Sequence, residues 1–144
     1  MFSSWAAAME NTKVRVLLLL VGLLATLALA PMSAFGTYML LVTLISDAPD
    51  GYQFLVWSIV GTGGLIGLIG AWVRLLVPGR HFESSRTLKW ITSGALGAGV
   101  LISGFMFFVS ARSPMNPIIW FAGATLAIGV FLFGATVGVK PRAL

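Results

Sequence analysis

The chain has 144 residues, 58% of them hydrophobic and only 9% charged, with a mean hydropathy of +1.00. A soluble domain of this length carries about 25% charged residues, so composition excludes a water-soluble globule and points to a single membrane domain over 1–144. The absence of cysteine excludes disulfides, thiolate metal sites and redox thiols, and the net charge of +5 is read by position, because membrane proteins sort lysine and arginine by side. A nucleic-acid partner is therefore not expected.

Residues 1–12 form the first segment. In MFSSWAAAM, Phe2, Trp5, Ala6 and Met9 recur at helical spacing, which predicts a short helix lying in the membrane interface. Four apolar stretches follow, at about 14–45, 53–77, 91–111 and 118–139. Each exceeds the roughly 20 residues that a spanning helix needs. The fold class expected is thus an all-α integral membrane protein with four transmembrane helices in a bundle.

The first stretch is long, and Pro31 stands near its middle. Proline removes a helical hydrogen bond and clashes with the preceding turn. Two outcomes fit: one long span kinked near Pro31, or two short spans with a turn there. Charge favours the first. With four spans and the N-terminus inside, Lys13, Arg15, Arg74, Arg80, Arg86, Lys89, Lys140 and Arg142 share one side, and only Arg112 faces the other. The positive-inside rule then places both termini in the cytoplasm, and a bacterial inner membrane is the expected location. A cleavable leader ending at Ala28-Leu29-Ala30 is the rival reading, opposed by Pro31 immediately after the cut.

Turn residues agree with these boundaries. Asp50 and Gln53 suit a capping box, Ser85 or Thr87 a cap on the third span, and Asn116-Pro117 the start of the fourth. Trp57, Trp72, Trp90 and Trp120 fall near span ends, as an aromatic belt requires.

The second span contains GTGGLIGLIGAWVRLL, residues 61–76. Glycine costs about 1 kcal/mol relative to alanine inside a helix. On a helical wheel Gly63, Gly64, Gly67, Gly70 and Ala71 gather on one smooth face. Small residues let helix backbones approach closely in lipid, where little hydrophobic drive acts between helices. These positions are therefore expected at a helix-packing interface. The same expectation covers Gly97 and Gly104 in the third span, and Gly123, Ala127, Gly134 and Gly138 in the fourth. GTGGLIG is not a dinucleotide fingerprint, because Ile66 stands at the third glycine position.

No Asp, Glu, His or Lys falls within a span. Arg74 is the one charge inside, near the end of the second, and is expected to snorkel to the headgroups or to meet a partner. Arg80, Arg86 and Lys89 are expected to touch anionic lipid or a partner. Asp47 and Asp50 read as turn and cap residues. His81, the only histidine, lies two residues from Glu83 in a polar loop, too few ligands for a structural zinc. Neither an enzyme nor a cofactor is expected. Surplus small-residue faces point instead to helix–helix binding, with another membrane protein or a second copy as partner. The function this suggests is an accessory or assembly subunit, or an immunity-type inhibitor. The alternative is a small oligomeric channel or transporter that uses no membrane-embedded carboxylate.

Overall fold

A computed structural model describes residues 1–46, 51–112 and 117–140, with the side chains of all but residues 51–55, 57 and 118. Six helices run in chain order: α1 (Phe2–Met9), α2 (Thr12–Ser46), α3 (Gly51–Leu76), α4 (Gly79–Ser84), α5 (Arg86–Ser110) and α6 (Ile118–Val137). Four of them, α2, α3, α5 and α6, are long and apolar enough to cross a membrane. The fold is an all-α membrane bundle. Asp47, Asp50, Asn116 and Arg142 lie outside the described residues.

The first span is one helix. α2 runs 35 residues with Pro31 in its interior, about 52 Å at 1.5 Å per residue. Proline leaves the carbonyl one turn earlier without its donor, yet the helix continues. Packing just beyond Pro31 explains why: Ser33 and Gly36 are buried against α3. A Cβ on Gly61 would lie 2.6 Å from the Gly36 Cα, so the two backbones touch.

The helix order in space follows the chain. α2 packs on α3, α3 on α5 and α5 on α6, while α6 leans weakly on α3. α3 is thus held between two neighbours, and its glycines divide between them. Gly61 and Gly64 meet Gly36 and Ser33 of α2. Gly63, Gly67 and Gly70 meet Ile102, Gly99 and Ala95 of α5. The approach is closest where α3 meets α5, because a Cβ on Gly67 would fall almost on the Gly99 Cα. One wheel face therefore serves two interfaces.

The ends differ from the sequence expectation in two places. The third span starts at Arg86, five residues before its apolar run, because Ser85 Oγ accepts from the Leu88 N–H at 3.2 Å and caps the helix there. Residues 79–84, expected as a loop, form the short helix α4, which buries Phe82 at 1% exposure. The expected N-terminal helix forms as α1 and packs on the bundle. Met9 is 3% exposed and sits in the core with Leu75, Leu96, Leu132 and Ala135.

These contacts generate a contrast between two glycines. Gly67→Val forces α3 and α5 apart and is expected to destabilise the bundle by about 2–3 kcal/mol, the range of overpacked cores. At Gly94 a Cβ meets nothing within 4 Å, so Gly94→Ala leaves stability unchanged or raises it. Thermal unfolding in detergent measures both.

Candidate functional site

The four spans do not close into a ring. α2 and α6 have no packed interface, and a cleft of about 670 Å³ runs between them. Its floor is built from small residues of three helices, including Gly36, Gly61, Gly64, Gly67 and Gly99. Its walls are apolar, with Leu29 and Phe35 on the α2 side and Phe121 and Ile128 on the α6 side. The same glycines that bring α3 onto its neighbours also deepen the cleft.

The cleft reaches from Leu18 to Gly36 along α2 and from Pro117 to Leu132 along α6, about 25 Å at the helical rise.

One end of the gap is filled by the chain itself. α1 packs chiefly on α6 and reaches back to α2, to which the Glu10–Asn11 turn joins it. The Trp5 ring occupies the space that a Cβ on Gly134 would need, and the Phe2 carbonyl does the same at Gly138. Trp5 also stacks at 5.8 Å from Phe131. Gly134 and Gly138 thus seat α1 rather than a transmembrane neighbour. The rest of the expected α6 stripe is divided: Gly123 faces the Phe107 ring of α5 at 3.3 Å, and Ala127 is exposed. In α5, Gly97 and Gly104 face Phe133 and Leu126 of α6 at ordinary contact distance, and Ala71 of α3 lines the cleft.

The end that holds α1 is also the basic end, where Lys13, Arg15, Arg74, Arg80, Arg86, Lys89 and Lys140 gather at helix termini. Two of these cations serve helix ends. Arg15 of α2 donates from Nε and Nη2 to the Leu75 carbonyl at 3.1 and 2.9 Å, and from Nη2 to the Leu76 carbonyl at 3.3 Å. Lys89 of α5 donates from Nζ to the Val139 carbonyl at 2.6 Å. The last carbonyls of a helix lack intrahelical donors and carry partial negative charge, so a cation there satisfies both needs. Lys89 is thereby held against α6. Arg80 and Arg86 are exposed.

Arg74 departs from the expected snorkelling posture. It is 3% exposed, with the Phe82 ring 4.9 Å from its guanidinium carbon. Its Nε and Nη2 are buried and have no hydrogen-bond partner among the described residues. Glu10 is the acid whose charge acts on it, and Arg15 the opposing cation.

Hydroxyls inside the spans mostly bond to their own helix. Thr37, Thr43, Thr125 and Thr136 each donate to the carbonyl four residues back. Thr62 and Ser93 do not, and their buried oxygens have no partner among the described residues. Trp72 Nε1 donates to Thr26 Oγ1 at 2.6 Å and ties α3 to α2. Sequence reasoning missed Thr26 and Gly36, the α2 partners of Trp72 and Gly61. His81 and Glu83 are exposed on α4. Among the described residues no three His, Asp or Glu side chains gather as metal ligands would.

No family model, no curated protein and no solved structure matches this chain. The site is accordingly defined by its geometry alone.

The Arg15 cap gives the prediction for this region. Arg15→Met leaves the Leu75 and Leu76 carbonyls without their side-chain donor and is expected to cost about 1–2 kcal/mol. Arg15→Lys recovers part of that, since one ammonium cannot span both carbonyls as the guanidinium does. Hydrogen exchange at the last turn of α3 reports the fraying.

Proposed function

We propose that this protein acts by binding inside the membrane. A transmembrane helix of a partner lays a ridge of large side chains into the α2–α6 cleft. In that capacity the chain serves as an accessory or assembly subunit, or as an immunity-type inhibitor that occupies a membrane-active protein. The observation that carries this reading is α1. The chain's own short helix already presses Phe2 and Trp5 onto Gly134 and Gly138 at one end of the same gap.

Ridge-into-groove packing supplies the dimensions. A helical ridge places one side chain per 5.4 Å turn, so about five large side chains fit along the roughly 25 Å of open cleft. The apolar walls exclude a charged ridge, because a charge brought into such a groove would lose its hydration without a counter-ion. The partner expected is therefore a leucine-, isoleucine- or phenylalanine-faced helix. Small floor residues permit close approach, which is the main source of helix affinity in lipid.

The test uses a photo-crosslinking side chain at Phe35 or Ala124, which both line the cleft. Leu101 and Leu44, 75% and 70% exposed on other faces, serve as lipid-facing controls. In the native host membrane, cleft positions are expected to capture one discrete membrane polypeptide while the controls capture lipid. Filling the cleft with Ala25→Leu and Ala124→Trp is expected to lower that yield about tenfold, equivalent to 1.4 kcal/mol of binding. Equal capture at cleft and control positions, or lipid alone at all four, would overturn the proposal.

A further inference from the structure

Arg74 lies on the side of α3 that faces α5, away from the cleft, which it does not line. Gly63, Gly67 and Gly70 of α3 touch Ile102, Gly99 and Ala95 of α5, so the two helices run antiparallel with a fixed register. Residues four apart share a helix face. Arg74 therefore continues the α3 stripe one turn beyond Gly70. On α5, Thr92 stands four residues before Leu96, whose backbone N–H meets Gly70, and seven before Gly99. It continues the facing stripe and is 2% exposed, which sets it opposite Arg74. Helix α4 packs on α5 and closes a third side with Phe82, whose ring centroid is 4.9 Å from the guanidinium carbon.

The Arg74 side chain is 3% exposed, and its Nε and Nη2 are buried without an acceptor among the described residues. The N–H bonds of Nε and Nη2 run side by side in the guanidinium plane. They form the fork that grips two oxygens of one carboxylate or phosphate. Arginine stays protonated in proteins, so the fork is not relieved by loss of a proton. The Phe82 ring attracts the charge but offers the fork no pair of acceptors. Glu10 and Glu83 are exposed, and Asp47 and Asp50 precede α3, whose last turn holds Arg74. A buried polar group without a partner marks the place of a water or an ion. A water supplies an acceptor but no charge, and a buried cation needs both. Arg74 is also level with the start of the apolar run of α5, and exposed Arg80 and Arg86 lie at the same end. That is the depth of lipid headgroups, where basic pockets between helices meet phosphate.

We propose that Arg74 binds a phosphate group at the junction of α3, α4 and α5. The Nε–Nη2 fork takes two of its oxygens, with Thr92 opposite. A lipid headgroup and free phosphate present the same oxygens to the fork. The wall that admits the phosphate is α4, which has six residues between extended joints at Pro78 and Ser85. It shifts with its Phe82 while α3 and α5 stay packed through their glycines. The assignment holds whatever occupies the cleft.

The test uses the full chain in detergent, washed free of phospholipid, with thermal unfolding as the readout. The probes are dioleoyl phosphatidylglycerol, inorganic phosphate, and dioleoylglycerol, which has the same chains and no phosphate. A ligand that binds only the folded state raises Tm with its concentration. The unmodified chain is expected to gain Tm saturably with at least one phosphate probe and not with dioleoylglycerol. A gain with the lipid alone assigns the headgroup, a gain with inorganic phosphate alone assigns the free anion, and a gain with both assigns phosphate from either source. Arg74→Lys keeps the charge and loses the fork, and is expected to raise the half-saturating concentration about tenfold. Arg74→Met is expected to lose the gain. Without ligand it is expected to be at least as stable as the unmodified chain, because it removes an uncompensated buried charge; with ligand the order reverses. Lys13→Met removes an exposed cation at the same end and is expected to keep the original half-saturation. No saturable gain with either phosphate probe would overturn the proposal, as would an equal gain with dioleoylglycerol or an equal gain in Arg74→Met. A loss in Lys13→Met as large as in Arg74→Lys would reduce the effect to general attraction and overturn it. A ligand-free Arg74→Met less stable than the unmodified chain would show the charge already compensated within the chain, and would overturn it too.

Discussion

Backbone-on-backbone contact at two points, Gly36 on Gly61 and Gly67 on Gly99, governs the arrangement of this bundle. Lipid tails are as apolar as leucine, so helices in a bilayer gain little by hiding leucine from their surroundings. Close packing of small residues supplies the attraction instead. α3 uses it twice, on adjacent faces, and so draws α2 to one side and α5 to the other. α6 then joins α5, and among the described residues α2 has no packed interface with α6. The cleft follows from that asymmetry: strong contacts on one side of the molecule leave the other side open.

The open side is finished differently at its two ends. At the basic end α1 enters the gap, with bulky Phe2 and Trp5 against glycine and Met9 in the core. Toward the opposite end the gap keeps its glycine floor. Two of the cations around α1 have structural tasks. Arg15 and Lys89 each hold the C-terminus of a neighbouring helix, a use of charge that the helix dipole favours. These ties stiffen the end at which α1 docks.

Span number and helical class were legible in composition and charge, because lipid imposes length and apolarity on each crossing directly. The continuity of α2 through Pro31 was legible only through charge counting. Its structural cause, Gly36 packed on Gly61, depends on a neighbour that no local pattern names. A wheel sorts the glycines of α3 onto one side but cannot tell that this side is shared by two helices. Helix α4 was missed because six residues rich in charge and serine carry a loop signature. Its Phe82 is buried against Arg74 of α3, a contact no local pattern shows. The burial of Arg74 was invisible for the same reason. The seat of α1 needed two distant facts together, bulky residues at 2 and 5 and glycines at 134 and 138, and each alone reads as something else.

The central claim is that α2 and α6 stand apart along the outer length of the bundle. Register along the three interfaces puts Phe35 of α2 level with Thr125 of α6. Spin labels at these two positions in the cysteine-free chain, measured by pulsed dipolar spectroscopy in lipid nanodiscs, report the gap directly. The account predicts a separation well beyond the 8–10 Å of directly packed helices, with α1 seated. A distribution centred at packed-helix distance would show that α2 and α6 close on each other, and would contradict both the cleft and the binding role built on it.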